Sequence, residues 1–235
     1  MDVIVPIAAI DPAFNSGGYE RPKPFVEVRG KPMIEWATAP VEWVDPESFI
    51  FVVLQQHVDE FAIDVKPRDR YGDAITVVRL DGMTDGAAET VLAARAHLSA
   101  EPLIVLFGDQ YIQAPVRRVL EQTDADGTIA TFNSTDPGYS YARTDNGRVT
   151  EVAEKEVISS NATAGLYYFE RGTDFVEGAE RMIEKNIRTN GLFYVCPVYN
   201  QLIEMGKRIE VFEVDEMWSL GDPTAVERFE QAEVR

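Results

Sequence analysis

Four short runs in this chain are apolar at nearly every position: "VIVPIAAI" (3–10), "FIFVVL" (49–54), "ITVVRL" (75–80) and "PLIVLF" (102–107). A strand with one wet face alternates apolar and polar side chains, so runs that do not alternate read as strands covered on both faces. Such strands need a helical layer on each side of the sheet. The chain supplies candidates: "PMIEWATAPVEW" lies between the first two runs, and "GAAETVLAARAHL", opening at Gly86, lies between the last two. Strands alternating with helices predict a mostly parallel α/β sheet.

The second half has a different texture. Runs at 127–132, 139–143, 149–155 and 163–169 are separated by Asp-Gly, Asn-Gly and Ser-Asn pairs, the turn chemistry of antiparallel strands. Helices are predicted over 173–187 and 196–206, then a strand "RIEVFEV" and a last helix from Pro223. With 235 residues and 45% hydrophobic content, one core suffices. The expectation is a single domain, 1–125 forming one half and 126–235 the other. The antiparallel part is an extension walling one side of a cleft.

Charge narrows the partners. The formal net charge is −18, with sixteen arginines to six lysines, and a surface so acidic is the reverse of what binding to nucleic acid requires. Acids spread along the whole chain suit a halophilic protein, because molar salt shortens the Debye length to about 3 Å and screens self-repulsion. No run reaches the roughly eighteen apolar residues of a membrane span, and the first residues lack a basic-then-apolar leader. The expectation is a cytoplasmic protein without membrane insertion. A homo-oligomer remains open. Cys196 is the only cysteine and is read as packed, not reactive. His57 and His97 stand apart from any second ligand, which argues against zinc and against a Ser-His or Cys-His pair.

In an open α/β sheet, ligands bind beyond the carboxyl ends of the strands. Three segments leave strands there: the loop 8–24, "DGMTDGAAET" and "FGDQY". Asp109, after Gly108, is placed either to hold a phosphate-bound Mg²⁺, which takes one or two carboxylates, or to cap a turn. Lys23 sits between two prolines that stiffen an extended backbone, and Arg21 two residues earlier would point the same way. The plain alternative is two solvated cations. Glu154 and Lys155 close a strand, where such a pair is ordinarily surface.

The order "PKPFVEVRGKPMIEW", "TDGAAETVLAA", "LIVLFGDQYI", "VTEVAEKEVISSNATAGLYYF", "NGLFYVCPVYNQLIEMGKRIEVF" and "SLGDPTAVERF" resembles the sugar-phosphate nucleotidyltransferase family over nearly the whole chain. It is most similar to the branch met in capsule and surface-polysaccharide biosynthesis. The resemblance implies a Rossmann-like fold of the nucleotide-diphospho-sugar transferase type, with 1–125 as nucleotide-binding half and 126–235 as acceptor-binding half. It also implies transfer of a nucleotidyl group from an NTP to a phosphorylated acceptor, with Mg²⁺ and release of pyrophosphate. By matching positions, Asp109 would hold the metal and Lys23 would contact phosphate, while Gly86 and Ala87 would let the base lie on the backbone. Glu154 and Lys155 would meet the acceptor, and Gly165 would leave room for its ring.

The opening loop departs from that pattern. Where the family has Gly-x-Gly-Ser/Thr-Arg, this chain has Ala9, Ile10, Asp11, Pro12 and Ala13. Asp11-Pro12 is good helix-start chemistry, yet it removes an N–H donor and sets a carboxylate where phosphates would lie. Before Gly221 there is no aspartate to serve as a second metal ligand. Arg21 moving in for the missing arginine, or Asp11 itself binding a metal, are two compensations. The alternative is a catalytically silent relative that binds a nucleotide, a sugar phosphate or a protein partner. A glycosyltransferase would show Asp-x-Asp after the strand; here the text is Asp109-Gln110-Tyr111.

Overall fold

The computed structural model describes residues 1–233. Its elements run β1 (Asp2–Pro6), α1 (Pro12–Ser16), β2 (Glu27–Val28), β3 (Lys31–Pro32), α2 (Met33–Thr38), β4 (Phe49–Leu54), α3 (Gln55–Phe61), α4 (Val65–Tyr71), β5 (Thr76–Leu80), α5 (Ala87–Leu92), β6 (Leu103–Leu106), β7 (Gln110–Gln113) and α6 (Val116–Gln122). They continue with β8 (Gly127–Asn133), β9 (Ser140–Asp145), β10 (Arg148–Glu154), β11 (Asn161–Phe169), α7 (Gly172–Glu184), α8 (Val198–Glu204), β12 (Ile209–Glu213), β13 (Glu216–Ser219) and α9 (Pro223–Gln231).

One nine-stranded sheet carries the fold, in the order β5-β4-β1-β6-β11-β8-β12-β10-β9. β5, β4, β1 and β6 are parallel. β11 then runs antiparallel to both β6 and β8, β12 returns parallel to β8, and the β9–β10 hairpin closes the far edge. That hairpin turns on Asn146 and Gly147, both at positive φ (49° and 79°), as a two-residue turn matched to strand twist requires.

The non-alternating runs are indeed buried on both faces. Along β1, β4 and β6 successive residues fall into opposite cores: Ile4, Val52 and Val105 pack with α5, α7 and α8, whereas Val3, Phe51 and Ile104 pack on the other side. β5 is the exception. It is the edge strand and its residues are half-buried or exposed, because only one neighbour covers it. β1 also ends at Pro6, four residues before its apolar run stops, and so Ala9 and Ile10 emerge exposed.

A third, smaller core lies apart from the sheet. Phe14, Val26, Val28 and Met33 from near the start of the chain pack with Leu220, Val226 and Phe229 from near its end. Trp36 meets Phe229 edge-on at 5.1 Å. Arg29 donates to the carbonyls of Phe229 and Ala232 (3.1 and 3.0 Å), adding to the bond that Phe229 O takes from Ala232 N (3.2 Å) where α9 ends and carbonyls run short of helical partners. Among the described residues no helix is long and apolar enough to cross a membrane.

Candidate active site

β1 and β6 are adjacent and parallel, so the segments leaving their carboxyl ends lie side by side. Phe107-Gly108-Asp109 leaves β6. Gly108 is required by the approach of its neighbours, since a Cβ there would lie 2.9 Å from the Ile7 side chain. The Asp109 carbonyl accepts from Leu220 N (2.8 Å), and β7 pairs with β13 so that Gln110 faces Ser219. This crossing brings the end of the chain to the strand end.

Lys23 is placed by the turn before it. The extended backbone expected between the prolines ends at Pro22; Lys23–Phe25 form a 3₁₀ turn whose Pro24 and Phe25 are buried. The Lys23 ammonium enters the crossing and meets three oxygens: Asp109 Oδ2 at 2.8 Å, Asp11 Oδ2 at 3.1 Å and the carbonyl of Gly221 at 2.9 Å. Burial alone would lower its pKa. The two carboxylates outweigh that and hold it above the usual lysine value, so the group is a cation throughout the working pH range. Asp11 also caps α1, its Oδ1 accepting from Ala13 N at 3.0 Å.

Beside this cluster opens a cavity of about 420 Å³. Its lining includes Lys23 and Asp109 together with Glu154, Lys155 and Tyr194. Lys155 adopts a left-handed φ of 56°, a conformation that costs about 1–2 kcal/mol for a residue with a side chain. Its ammonium donates to Gly138 O (2.9 Å) and lies 5.6 Å from the Tyr194 ring. The Glu154 carboxyl is nearly buried and accepts from the Ser140 hydroxyl. Burial raises its pKa against the opposing pull of Ser140 and Lys155. A carboxyl whose pKa is higher folded than unfolded favours the folded state at low pH, and that advantage is lost as pH rises through the folded value. Glu154→Gln should therefore melt higher than wild type at pH 7 and show no gain below the unfolded glutamate value. Scanning calorimetry at both pH values checks this, and an equal gain at both would overturn the assignment.

Four carboxylates line the cavity (Asp109, Asp136, Glu154 and Asp222) against two ammonium groups (Lys23 and Lys155). An anionic ligand therefore needs a further cation to enter. As donor chemistry, Asp109 with phosphate oxygens and waters is a fit for Mg²⁺, which needs no more than one or two carboxylates. Among the described residues no cluster of three or more His, Cys, Asp or Glu side chains forms a metal cage. The residues before Gly221 are Ser219 and Leu220, so no carboxylate there joins Asp109, while Asp222 just beyond it borders the same cavity.

The sequence of residues 18–219 matches the model of the nucleotidyl transferase family. The chain belongs to the nucleotidyl transferase family. The match begins after the altered loop 8–14 and stops at Ser219, so both departures lie at or beyond its ends. A Sulfolobus acidocaldarius protein assigned as a mannose-1-phosphate guanyltransferase is 26% identical over 157 residues, covering 64% of this chain; the chain spans less than half (43%) of that relative. Among solved structures, a nucleoside-diphosphate-sugar pyrophosphorylase from Vibrio cholerae RC9 superposes with a TM-score of 0.84 at 22% identity, over 98% of this chain and all of that one. The inositol-1-phosphate CTP transferase of T. maritima gives 0.77 at 13% identity, over 100% and 98%. These likenesses place the fold among nucleotide-diphospho-sugar transferases.

Not every residue that the sequence singled out gathers at one place. Lys23, Asp109, Glu154, Lys155 and Gly165 line the main cavity. Arg21 and Ala9 instead line a separate space of about 160 Å³ beside Asp11 and His57, which Lys23 also borders; Arg21 does not join Lys23 at the main cavity. Gly86 and Ala87 open α5 and do not line it either. Gly165 borders the cavity, and at φ 70° the place of its missing Cβ is taken by the Gln110 amide, whose Nε2 would lie 1.8 Å away. Gln110 is 7% exposed and its Nε2 has no partner among the described residues. It borders the cavity and carried no local signal in "FGDQY". Cys196 is buried, as its apolar context predicts, and burial pushes its thiol pKa well up.

Proposed function

We propose that the chain transfers a nucleotidyl group from an NTP to a sugar 1-phosphate or similar phosphorylated acceptor, releasing pyrophosphate, in the assembly of surface glycans. The observation that carries this is the ion pair of Lys23 with Asp109 at 2.8 Å, at the edge of the cavity that also holds Glu154 and Lys155. In this reading 1–125 is the nucleotide half and 126–235 the acceptor half. Lys155 meets the acceptor phosphate and Glu154 accepts from a hydroxyl of the acceptor. One oxygen of that phosphate attacks the α-phosphorus in line, the bond from the α-phosphorus to its bridging oxygen breaks, and the electron pair leaves on pyrophosphate. Such transfers need positioning and charge neutralisation more than covalent help from the protein. Lys23 supplies a fixed positive charge to the reacting phosphates. Mg²⁺ held by Asp109 would neutralise further phosphate charge.

A second reading, a catalytically silent member that binds a nucleotide, a sugar phosphate or a protein partner, draws support from Asp11 on Lys23 and from the lack of an aspartate before Gly221. Pyrophosphate release separates the two. Wild type and Asp109→Asn are assayed in molar KCl with Mg²⁺, each of ATP, GTP, CTP, UTP and dTTP, and a panel of sugar 1-phosphates. Release with one pair, lost in Asp109→Asn, supports transfer. Calorimetric binding of a sugar phosphate with no release from any pair supports the silent reading.

A further inference from the structure

An ammonium group has three protons to donate, and at Lys23 three acceptors already take them: Asp109, Asp11 and the Gly221 carbonyl. The position is full. Any anion that reaches Lys23 must displace one of the three, and they differ in how firmly they are held. The Gly221 carbonyl is main chain between β13 and α9. Asp109 is anchored at its own carbonyl by Leu220 N. Asp11 lies on the stretch between β1 and α1, where Ala8, Ala9 and Ile10 make no backbone hydrogen bond to the sheet and Ala9 and Ile10 are exposed; apart from Lys23 its carboxylate is held by Ala13 N at the start of the five-residue α1.

We infer that Asp11 is a built-in competitor for anionic ligands: a phosphate oxygen gains Lys23 by exchanging with the Asp11 carboxylate, so that Asp11 sets how tightly phosphates bind. The inference rests on the reading that a nucleotide's phosphates come to Lys23. Its physical basis is that the exchange replaces one ion pair by another and gains little. The displaced carboxylate also stays close to the incoming anion and repels it. The space beside Asp11, bordered by Arg21 and Lys23, is where the displaced side chain can turn.

The test uses Asp11→Asn and Asp11→Ser, both of which keep a capping side chain for α1, with thermal unfolding to check each fold. Binding of inorganic tripolyphosphate and of the five NTPs is measured by calorimetry in the presence of Mg²⁺, against wild type. Dissociation constants about tenfold lower or better in both variants are expected, since even one unscreened carboxylate near a phosphate is worth that much. Equal, measurable affinities in all three proteins would overturn the inference and leave the nucleotide reading standing. Absence of binding to any of the three at millimolar concentration would overturn both.

Discussion

A Lys23→Met protein is expected to release pyrophosphate about 10²- to 10³-fold more slowly than wild type, the loss seen when a fixed group that stabilises developing charge is removed. It should also melt lower in dilute buffer, because Asp11 and Asp109 are left facing each other without the ammonium between them, and recover part of the difference in molar KCl, where their repulsion is screened. Lys23→Arg should not rescue activity. A planar guanidinium presents its donors as a fork, whereas the three oxygens around Lys23 include a main-chain carbonyl and two separate carboxylates. Steady-state rates at saturating substrate, with melting temperatures at two salt concentrations, give the answer. Activity within tenfold of wild type in Lys23→Met would remove Lys23 from the reacting phosphates.

Gly86→Ala should be the most damaging small substitution in the chain. Its φ is 131°, and an added Cβ would lie 2.4 Å from the carbonyl oxygen and 2.7 Å from the amide nitrogen of Phe193. Both obstacles are main chain, fixed by Phe193 N donating to Asp85 O (2.7 Å) and Ala88 N donating to Phe193 O (3.0 Å). Relief means separating the start of α5 from the stretch around Phe193, with loss of both bonds. A cost of about 3–5 kcal/mol follows, or a fall in melting temperature of roughly 10 °C for a chain of this size. Gly147→Ala makes the contrast. It too has positive φ but meets nothing within 4 Å, so it should cost only about 1–2 kcal/mol. Near-equal melting of the two variants would mean that the Phe193 crossing yields easily.

The central sheet was legible because burial on both faces leaves a mark that needs no context: "FIFVVL" and "PLIVLF" have no wet side to encode. β5 was legible as a strand but not as an edge, since "ITVVRL" records its composition and not its missing neighbour. The helices α3, α4 and α6 escaped notice. Each is only seven residues long, too short to show a helical period, and none has a side-chain cap hydrogen bond, although Asp64 and Gly72 do bracket α4. The pairing of "QYIQ" with "EMWS" joins four-residue strands about a hundred positions apart, and neither carries a local sign of the other. That pairing is what brings Gly221 to Lys23. Asp11 was readable as a helix cap and as an unwelcome charge, but its partner was not, because the partner is fixed by tertiary folding. Gly165 shows the limit differently. A glycine announces that something comes close, and only the fold says that it is the Gln110 amide.

The small third core has a bearing on how the protein comes to exist in the cell. Phe14, Val26 and Met33 leave the ribosome about two hundred residues ahead of Leu220, Val226 and Phe229, their packing partners. Until Leu220 and the residues after it are made, these side chains stay bare and Lys23 lacks its contact with Gly221, although every strand of the nine-stranded sheet precedes them in the chain. A protease that clipped α9 from the folded molecule would bare the same apolar side chains again, while Gly221, which precedes α9, and the strands of the central sheet stay in the chain.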